Sequence, residues 1–121
     1  MIEVHLSFVP PGGGEVDYGL KMLMPALPRE GDYISVMREG LDPTDEDRLG
    51  SENFIVRRVW WHCTYPDDGQ ISHTSGDEPM GACTVNAECE FAIGPYSSKA
   101  HRRAAESKAR YQAKEFEATN Y

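Results

Sequence analysis

The sequence predicts an α+β domain in which about five antiparallel strands form a sheet or small barrel, followed by one C-terminal α-helix. Several short segments alternate apolar and polar residues with a period of two, which is the pattern of half-buried strands. Runs rich in proline and glycine separate these segments. Residues 99–118 contain six alanines and neither proline nor glycine, which favours a helix.

The first three strands are predicted from alternation and from the turns between them. Apolar side chains occupy every second position of residues 2–8, and residues 18–26 carry Leu20, Met22 and Met24 on one face. The segment between them contains two prolines and three glycines, so we expect a hairpin. A turn at residues 27–32 then leads into a short strand at residues 33–37.

The two remaining strands carry the clearest signals. Residues 53–65 are rich in β-branched and aromatic residues on both faces, which indicates a central strand. Trp60 and Trp61 should point to opposite faces, and at least one of them is expected in the core. Residues 82–93 alternate regularly and are predicted to direct the following side chains inward: Cys83, Val85, Ala87, Cys89, Phe91 and Ile93.

The chain of 121 residues has the usual size of one domain, so we assign residues 1–121 to a single domain. Ser97 or Ser98 can cap the predicted helix. No apolar run approaches the roughly 20 residues that span a bilayer. The N-terminus lacks the pattern of a signal peptide. We therefore expect a cytosolic protein with no membrane contact.

Charge divides the chain into an acidic body and a basic C-terminal helix. The net charge is −8, but residues 1–97 hold 17 acids against six bases, whereas residues 98–121 hold three acids against six bases. An acidic body repels nucleic acid and attracts basic protein surfaces. Ten of its acids lie in two predicted polar loops, at residues 38–52 and 66–81. Eight of the ten are the predicted partner contacts: Asp42, Asp45, Glu46, Asp47, Asp67, Asp68, Asp77 and Glu78.

The three cysteines are expected to be unpaired, reduced and buried as small apolar residues, because an odd number makes a poor disulfide framework. A zinc site would have to use His62, Cys63, His73, Cys83 and Cys89. His62 and Cys63 are predicted to face opposite sides of one strand, and Cys83 and Cys89 lie about 20 Å apart along another. The sequence therefore predicts neither a metal site nor a cofactor.

No catalytic set is recognisable. Cys63 could act as a nucleophile only with His62 or His73 in reach, and no known signature surrounds it. Residues 45–47 lack the alternating acids and the glycine of a calcium loop. The glycine-rich segment 11–14 lacks the lysine and the helix start of a phosphate-binding loop. An enzyme is therefore not expected.

The predicted helix leaves one alternative open. Lys99, Arg103, Arg110 and Lys114 recur at helical spacing, and together with Arg102 they could form a basic stripe that meets phosphate. A charged, solvated helix face is the more common explanation of such a pattern.

Two features carry a resemblance to known proteins. The segments Leu-Pro-Arg-Glu-Gly-Asp-Tyr-Ile (27–34) and Phe-Ile-Val-Arg-Arg-Val-Trp (54–60) resemble a pattern of small phage- and prophage-encoded β proteins. The compact, acidic and motif-free chain is similar to phage anti-CRISPR proteins, several of which occupy the nucleic-acid groove of a host complex. The resemblance implies a DNA mimic, although those families share no motif that would transfer residue roles. The basic helix departs from a wholly acidic mimic.

The leading hypothesis is a non-enzymatic inhibitor of a bacterial defence complex, with a CRISPR effector as the first candidate target. The eight loop acids would engage its basic surface, and Trp61 would serve as an apolar anchor. One alternative is a small-ligand binding protein or sponge that holds a nucleotide-like anion between a tryptophan, Arg57 or Arg58, and His62. The other is a phage structural or assembly protein. The oligomeric state stays open, with a dimer as one possibility.

Overall fold

The structure is a computed structural model that describes residues 1–66, 81–108 and 113–115. Its elements confirm the α+β class, with a curled sheet and one short C-terminal helix in the described residues. They are β1 (Ile2–Val9), β2 (Tyr18–Met24), β3 (Tyr33–Val36), β4 (Glu52–Thr64), β5 (Ala82–Ile93), α1 (Lys99–Ser107) and β6 (Lys114–Glu115). Within the described residues, no helix is both long enough and apolar enough to cross a membrane.

The strands form one mixed sheet in the order β2-β1-β5-β4-β3. The β1–β2, β3–β4 and β4–β5 pairs are antiparallel as expected, whereas β1 pairs with β5 in parallel. Alternation in a sequence specifies which face of a strand is buried but not the direction of its neighbour. The parallel pair therefore had no signal in the sequence.

The helix is shorter than its composition predicts. Ser98 accepts a hydrogen bond from the amide of His101 and caps α1, which ends at Ser107 instead of near residue 118. Lys114 and Glu115 instead pair with β5, and Lys114 Nζ lies 2.9 Å from Oε1 of the buried Glu90. Burying the Glu90 carboxylate without a partner would cost free energy. We infer that its ion pair with Lys114 favours the β6 pairing over a longer helix. Residues 109–112 and 116–118 of the predicted helix lie outside the described residues.

The sheet curls into a half-barrel whose concave face holds the core. The rings of Phe8 on β1 and Phe54 on β4 stack with centroids 3.8 Å apart, although β5 lies between their strands. In a flat sheet, strands two places apart are separated by roughly 10 Å. We call the end at which β1 and β5 finish and β4 begins the helix end. The opposite end, where β4 finishes and β5 begins, is the disulfide end.

The core is a cluster of apolar side chains under α1. Burying a side chain of the size of Val, Leu or Phe stabilises a fold by about 1.5–3 kcal/mol. The buried residues of α1 are His101 and Ala105, which lie four residues apart on one face of the helix. The main buried members of the cluster are Val4, Leu6, Phe8, Val36, Phe54, Val56, Val85, Ala87, Cys89, Phe91 and Ala105.

The two tryptophans face opposite sides of the sheet, as predicted. Trp60 pairs with Asn86 and Trp61 with Val85. The expectation that one of them is buried is wrong, because Trp60 is 41% exposed and Trp61 is 55% exposed. The physical reason is the position of α1, whose His101 ring packs at the helix end of the sheet, whereas Trp61 lies toward the disulfide end.

The cysteines also differ from the prediction. Cys63 and Cys83 lie directly opposite each other on β4 and β5 and form a disulfide, with Cα atoms 4.1 Å apart. Cys83 is exposed rather than buried. A β-bulge between Val56 and Arg58 shifts the register, and sequence spacing does not reveal a bulge. Cys89 alone is a free, buried thiol, and burial raises its pKa to about 12.

Candidate interaction surface at the helix end

The segment between β3 and β4, residues 37–51, is folded by its own carboxylates, and we call it the acidic loop. Asp42 Oδ1 accepts hydrogen bonds from the amide of Thr44 at 2.8 Å and from its hydroxyl at 2.7 Å. The hydroxyl and then the amide lower the pKa of Asp42. Asp45 Oδ1 accepts from the amide of Asp47 at 2.8 Å. These contacts fix the loop without help from a partner.

The acidic loop is also attached to the start of α1. Asp47 Oδ1 accepts the amide of Lys99 at 3.0 Å, and Glu46 forms an ion pair of 3.2 Å with the Lys99 ammonium. A carboxylate is well placed at the positive end of a helix. The contact is so close that a Cβ on Gly50 would lie 2.7 Å from Ser98 Cα. Only glycine fits at this crossing.

Three side chains from distant segments close the helix end of the curled sheet, and we call them the clasp. The Tyr18 hydroxyl donates to Glu52 Oε1. Arg38 Nε donates to Glu52 Oε2 at 2.5 Å, and its guanidinium lies 5.9 Å from the Tyr18 ring centroid. The clasp connects edge strand β2 with β4 and the residues after β3.

The clasp is held by charge and hydrogen bonding. Burial pushes the pKa of Glu52 upward, but the hydrogen bonds from Arg38 and Tyr18 outweigh it, so the net pKa is lowered. Burial, and then the hydrogen bond to Glu52, raise the pKa of Tyr18. Glu52 is therefore an anion and Tyr18 a neutral donor at neutral pH.

His101 lies beneath this region as a buried, structural histidine. Its ring stacks on Phe91 with centroids 5.2 Å apart and meets the edge of Phe54 at the same distance. Nε2 lies 2.8 Å from Ala92 O and 3.0 Å from Asn53 O. The amide of Asn53 also lies 3.1 Å from Nε2, so three backbone groups hold this edge of the ring. Burial lowers the pKa of His101, despite these carbonyls.

The acidic loop, the clasp and α1 surround a cleft of about 340 Å³. Among the described residues that line it, carboxylates outnumber cations, because Arg38 is their sole lysine or arginine. Its apolar lining consists of Leu41, Phe91, Ala100 and Ala104, and its carboxylates are those of Asp17, Asp45, Asp47 and Glu52. Such a lining attracts cations and repels anions.

Cations of the C-terminal segment pair with the acidic body. Besides Lys99 with Glu46, Lys108 Nζ lies 2.6 Å from Asp17, and Lys114 Nζ lies 2.9 Å from Glu90. These lysines attach α1 and β6 to the sheet. They do not form a separate basic surface.

The predicted basic stripe is not assembled. Lys99 begins α1, but Lys114 belongs to β6. Arg103 Nε donates to the carbonyl of Lys99 at 3.4 Å, and Arg102 donates to the carbonyl of Gly94 at 2.8 Å. Arg110 lies outside the described residues.

The structure separates the predicted partner-binding residues. Asp42, Asp45, Glu46 and Asp47 lie together in the acidic loop. Trp61 follows Glu52, the first residue of β4, by nine residues, which is about 30 Å along an extended strand. The other predicted members of this surface, Asp67, Asp68, Asp77 and Glu78, lie outside the described residues.

Part of the set proposed for an anionic ligand shares one face of β4, because Arg58, Trp60 and His62 occupy alternate positions. The Arg58 guanidinium lies 6.0 Å from the Trp60 ring centroid. Trp60 and Trp61 face opposite sides. Arg57 and Arg58 each lie 3.2 Å from a Glu88 oxygen, because the bulge directs both toward one acid. Their charges are therefore already engaged.

The cysteine and metal candidates are placed as follows. Cys63 carries no thiol in its disulfide and cannot be a nucleophile in this state. Within residues 1–66, 81–108 and 113–115, no three His, Cys, Asp or Glu side chains converge as metal ligands. His73 lies outside those ranges.

Sequence reasoning missed Tyr18, Arg38, Glu52 and His101. The clasp joins residues 34 and 14 positions apart, and neither spacing belongs to a local motif. His101 did leave a signal, since it precedes Ala105 by four residues on the inward face of α1. No family model matches this chain, and neither does a characterised protein or a solved structure.

Proposed function

We propose that this protein is a non-enzymatic, acidic inhibitor that binds a basic, nucleic-acid-handling surface of a bacterial defence complex. CRISPR effectors are the class that its anti-CRISPR resemblance suggests. The site of contact is the acidic loop at the helix end. The supporting observation is that Asp42, Asp45 and Asp47 have no cation within ion-pair distance in the part of the chain that the structure describes.

The order of the acidic loop supports a role in binding. Its aspartates accept amide hydrogen bonds through one oxygen each and retain a second oxygen for a partner. A loop that is ordered before binding loses less conformational entropy when it associates. Its negative charge would also steer a basic partner toward it and raise the association rate.

The internal pairing of the C-terminal lysines removes an objection to this function. A DNA mimic has no use for a basic helix on the surface that binds its target. Here Lys99, Lys108 and Lys114 instead hold α1 and β6 against the acidic body. The acidic loop keeps its excess of negative charge.

The nucleotide-binding alternative has weaker support. The cleft at the helix end carries four carboxylates, and these oppose a phosphate group electrostatically. The arginines proposed for that role both contact Glu88.

The test is binding to purified CRISPR effector complexes by biolayer interferometry, with displacement of bound double-stranded DNA as the second readout. The variant is D42N/D45N/D47N, because asparagine keeps the Oδ1 acceptor of each aspartate. We expect affinity to fall about ten-fold or more, through a slower association and a faster dissociation. Raised salt should weaken the wild type more than the variant.

The matched control is E3Q/E30Q/E106Q, which removes three exposed carboxylates outside the acidic loop. It changes the net charge equally and should retain most of the affinity. Equal losses in the two variants would show an unspecific charge effect and contradict the assigned site. Failure of the wild type to bind any complex or to displace DNA would overturn the function.

A further inference from the structure

We propose that the cleft at the helix end is a receptor for one arginine or lysine side chain of the basic partner. This inference rests on the proposed function and names the group that the acidic loop recognises. It follows from the shape of the cleft, from its charge and from the occupancy of the nearby helix terminus.

The shape suits a long side chain rather than a flat contact. The cleft volume of about 340 Å³ lies near the lower limit of ligand pockets, which range over roughly 300–1,000 Å³. Leu41, Ala100 and Ala104 supply apolar walls. The aliphatic stem of an arginine or lysine can be buried against such walls while its charged head stays among polar groups.

The charge selects a cation. Asp45 and Asp47 lie on the rim, and neither has a cationic partner among the described residues. Asp17 is already paired with Lys108, and Glu52 with Arg38. Even when both of these bases are counted, the four carboxylates of the described lining exceed its described cations by two.

The start of α1 does not offset this preference. A helix N-terminus attracts anions through its unpaired amides. Here Ser98 Oγ accepts the amide of His101, and Asp47 Oδ1 accepts the amide of Lys99. Because protein groups already occupy these donors, an anionic ligand would meet mainly carboxylates.

The test titrates isotope-labelled protein with N-acetyl-arginine amide and N-acetyl-lysine amide, and follows amide chemical shifts by NMR. N-acetyl-norleucine amide is the neutral probe of similar length, and N-acetyl-glutamate amide is the anionic one. We expect saturable shifts with the cationic probes at Leu41, Ala100 and Ala104. The neutral probe should bind at least five-fold more weakly, and the anionic probe should not bind.

Two variants assign the binding to the cleft. Ala100→Leu fills the cleft from an exposed position of α1 and should weaken cationic probe binding at least ten-fold. Ser107→Leu adds the same side chain to the same helix outside the cleft lining and should leave binding unchanged. D45N/D47N should also weaken the cationic probes, with the fold checked by the spectrum itself.

The outcomes separate this inference from the proposed function. No saturable shift with either cation, equal binding of the neutral probe, or shifts unaffected by Ala100→Leu would overturn the receptor. If Ala100→Leu abolishes probe binding but leaves effector binding intact, the inhibitor function stands and the receptor role falls. If the probes bind in the cleft but no effector complex does, the cation receptor stands and its partner lies outside bacterial defence.

Discussion

At the scale of single residues, the clasp shows how distant side chains stabilise a curled sheet. Tyr18 lies on one edge strand, and Glu52 begins a strand near the other edge. Their hydrogen bond, supported by Arg38, holds together the two sides of the half-barrel. A hydrogen bond to a charged acceptor contributes about 1.5–3 kcal/mol, more than one between neutral groups.

The first residue-scale prediction concerns the clasp. Tyr18→Phe removes the donor to Glu52 while keeping the ring, so we expect the free energy of unfolding to fall by about 1–2 kcal/mol. Glu52→Gln should also destabilise, because it weakens the contacts with both partners. Chemical denaturation of the two single variants and the double variant gives the coupling energy. Strictly additive effects would contradict a direct Tyr18–Glu52 interaction.

His101 leads to a prediction about pH. Burial lowers its folded-state pKa, whereas the unfolded chain has an ordinary histidine pKa near 6.5. As pH falls through about 6.5, the unfolded chain takes up a proton that the folded protein resists, so stability declines. At higher pH the residue is neutral in both states and this dependence disappears.

The measurement is the free energy of unfolding between about pH 7.5 and 5.5, a window above most carboxylate titration. We expect wild-type stability to fall toward the acidic side. His101→Phe, which keeps an aromatic ring against Phe91 and Phe54, should have a flatter profile whatever its absolute stability. Glu52 and Arg102 are the charged groups that influence His101. An unchanged slope in the variant would assign the pH dependence to other groups.

At the scale of elements, the β4–β5 pair is the best predicted part of the chain, but it also contains a β-bulge that the sequence did not predict. Residue type and alternation predict both strands: the bounds of β4 differ by one residue at each end from those observed, and the bounds of β5 are the same. The bulge at Val56–Arg58 then determines which residues face each other. It directs two arginines toward Glu88 and leads the strands into a register that places Cys63 opposite Cys83.

The disulfide gives the element-scale prediction. Cys63 and Cys83 are 20 residues apart, and closing a loop of this length stabilises a fold by roughly 3 kcal/mol. We expect a dithiol reductant such as dithiothreitol to lower the wild-type melting temperature. The double variant Cys63→Ser/Cys83→Ser should melt at the same temperature as the wild type in dithiothreitol, and the reductant should not change its melting temperature.

A melting temperature that dithiothreitol leaves unchanged would contradict the stabilising role of this bond. Mass spectrometry after alkylation reports the state of the pair under each condition. Disulfides are rare in the cytosol, so the expectation of a cytosolic protein implies the dithiol form there. Cys89 is buried with a raised pKa, and we expect it to be alkylated only after unfolding.

At the scale of the whole molecule, the distribution of charge decides what the surface can do. Among the described residues, the acidic loop lies at the helix end with an excess of carboxylates, and the three lysines of the C-terminal segment are paired internally. Trp61 lies about 30 Å away along β4. A small partner surface can therefore engage the acidic loop without contacting this tryptophan, and we expect the acidic loop alone to dominate binding.

The sequence by itself determined the α+β class, the five main strands, the start of the helix at its serine cap and the location of the acidic segments. These properties depend on alternation, residue type and turn chemistry, all of which act between near neighbours. Only the tertiary structure decided the parallel β1–β5 pair, the end of α1 before β6, the Cys63–Cys83 bond and the clasp. Each of these joins residues far apart in the chain, and such contacts depend on the register and curl of the sheet, for which local sequence carries no signal.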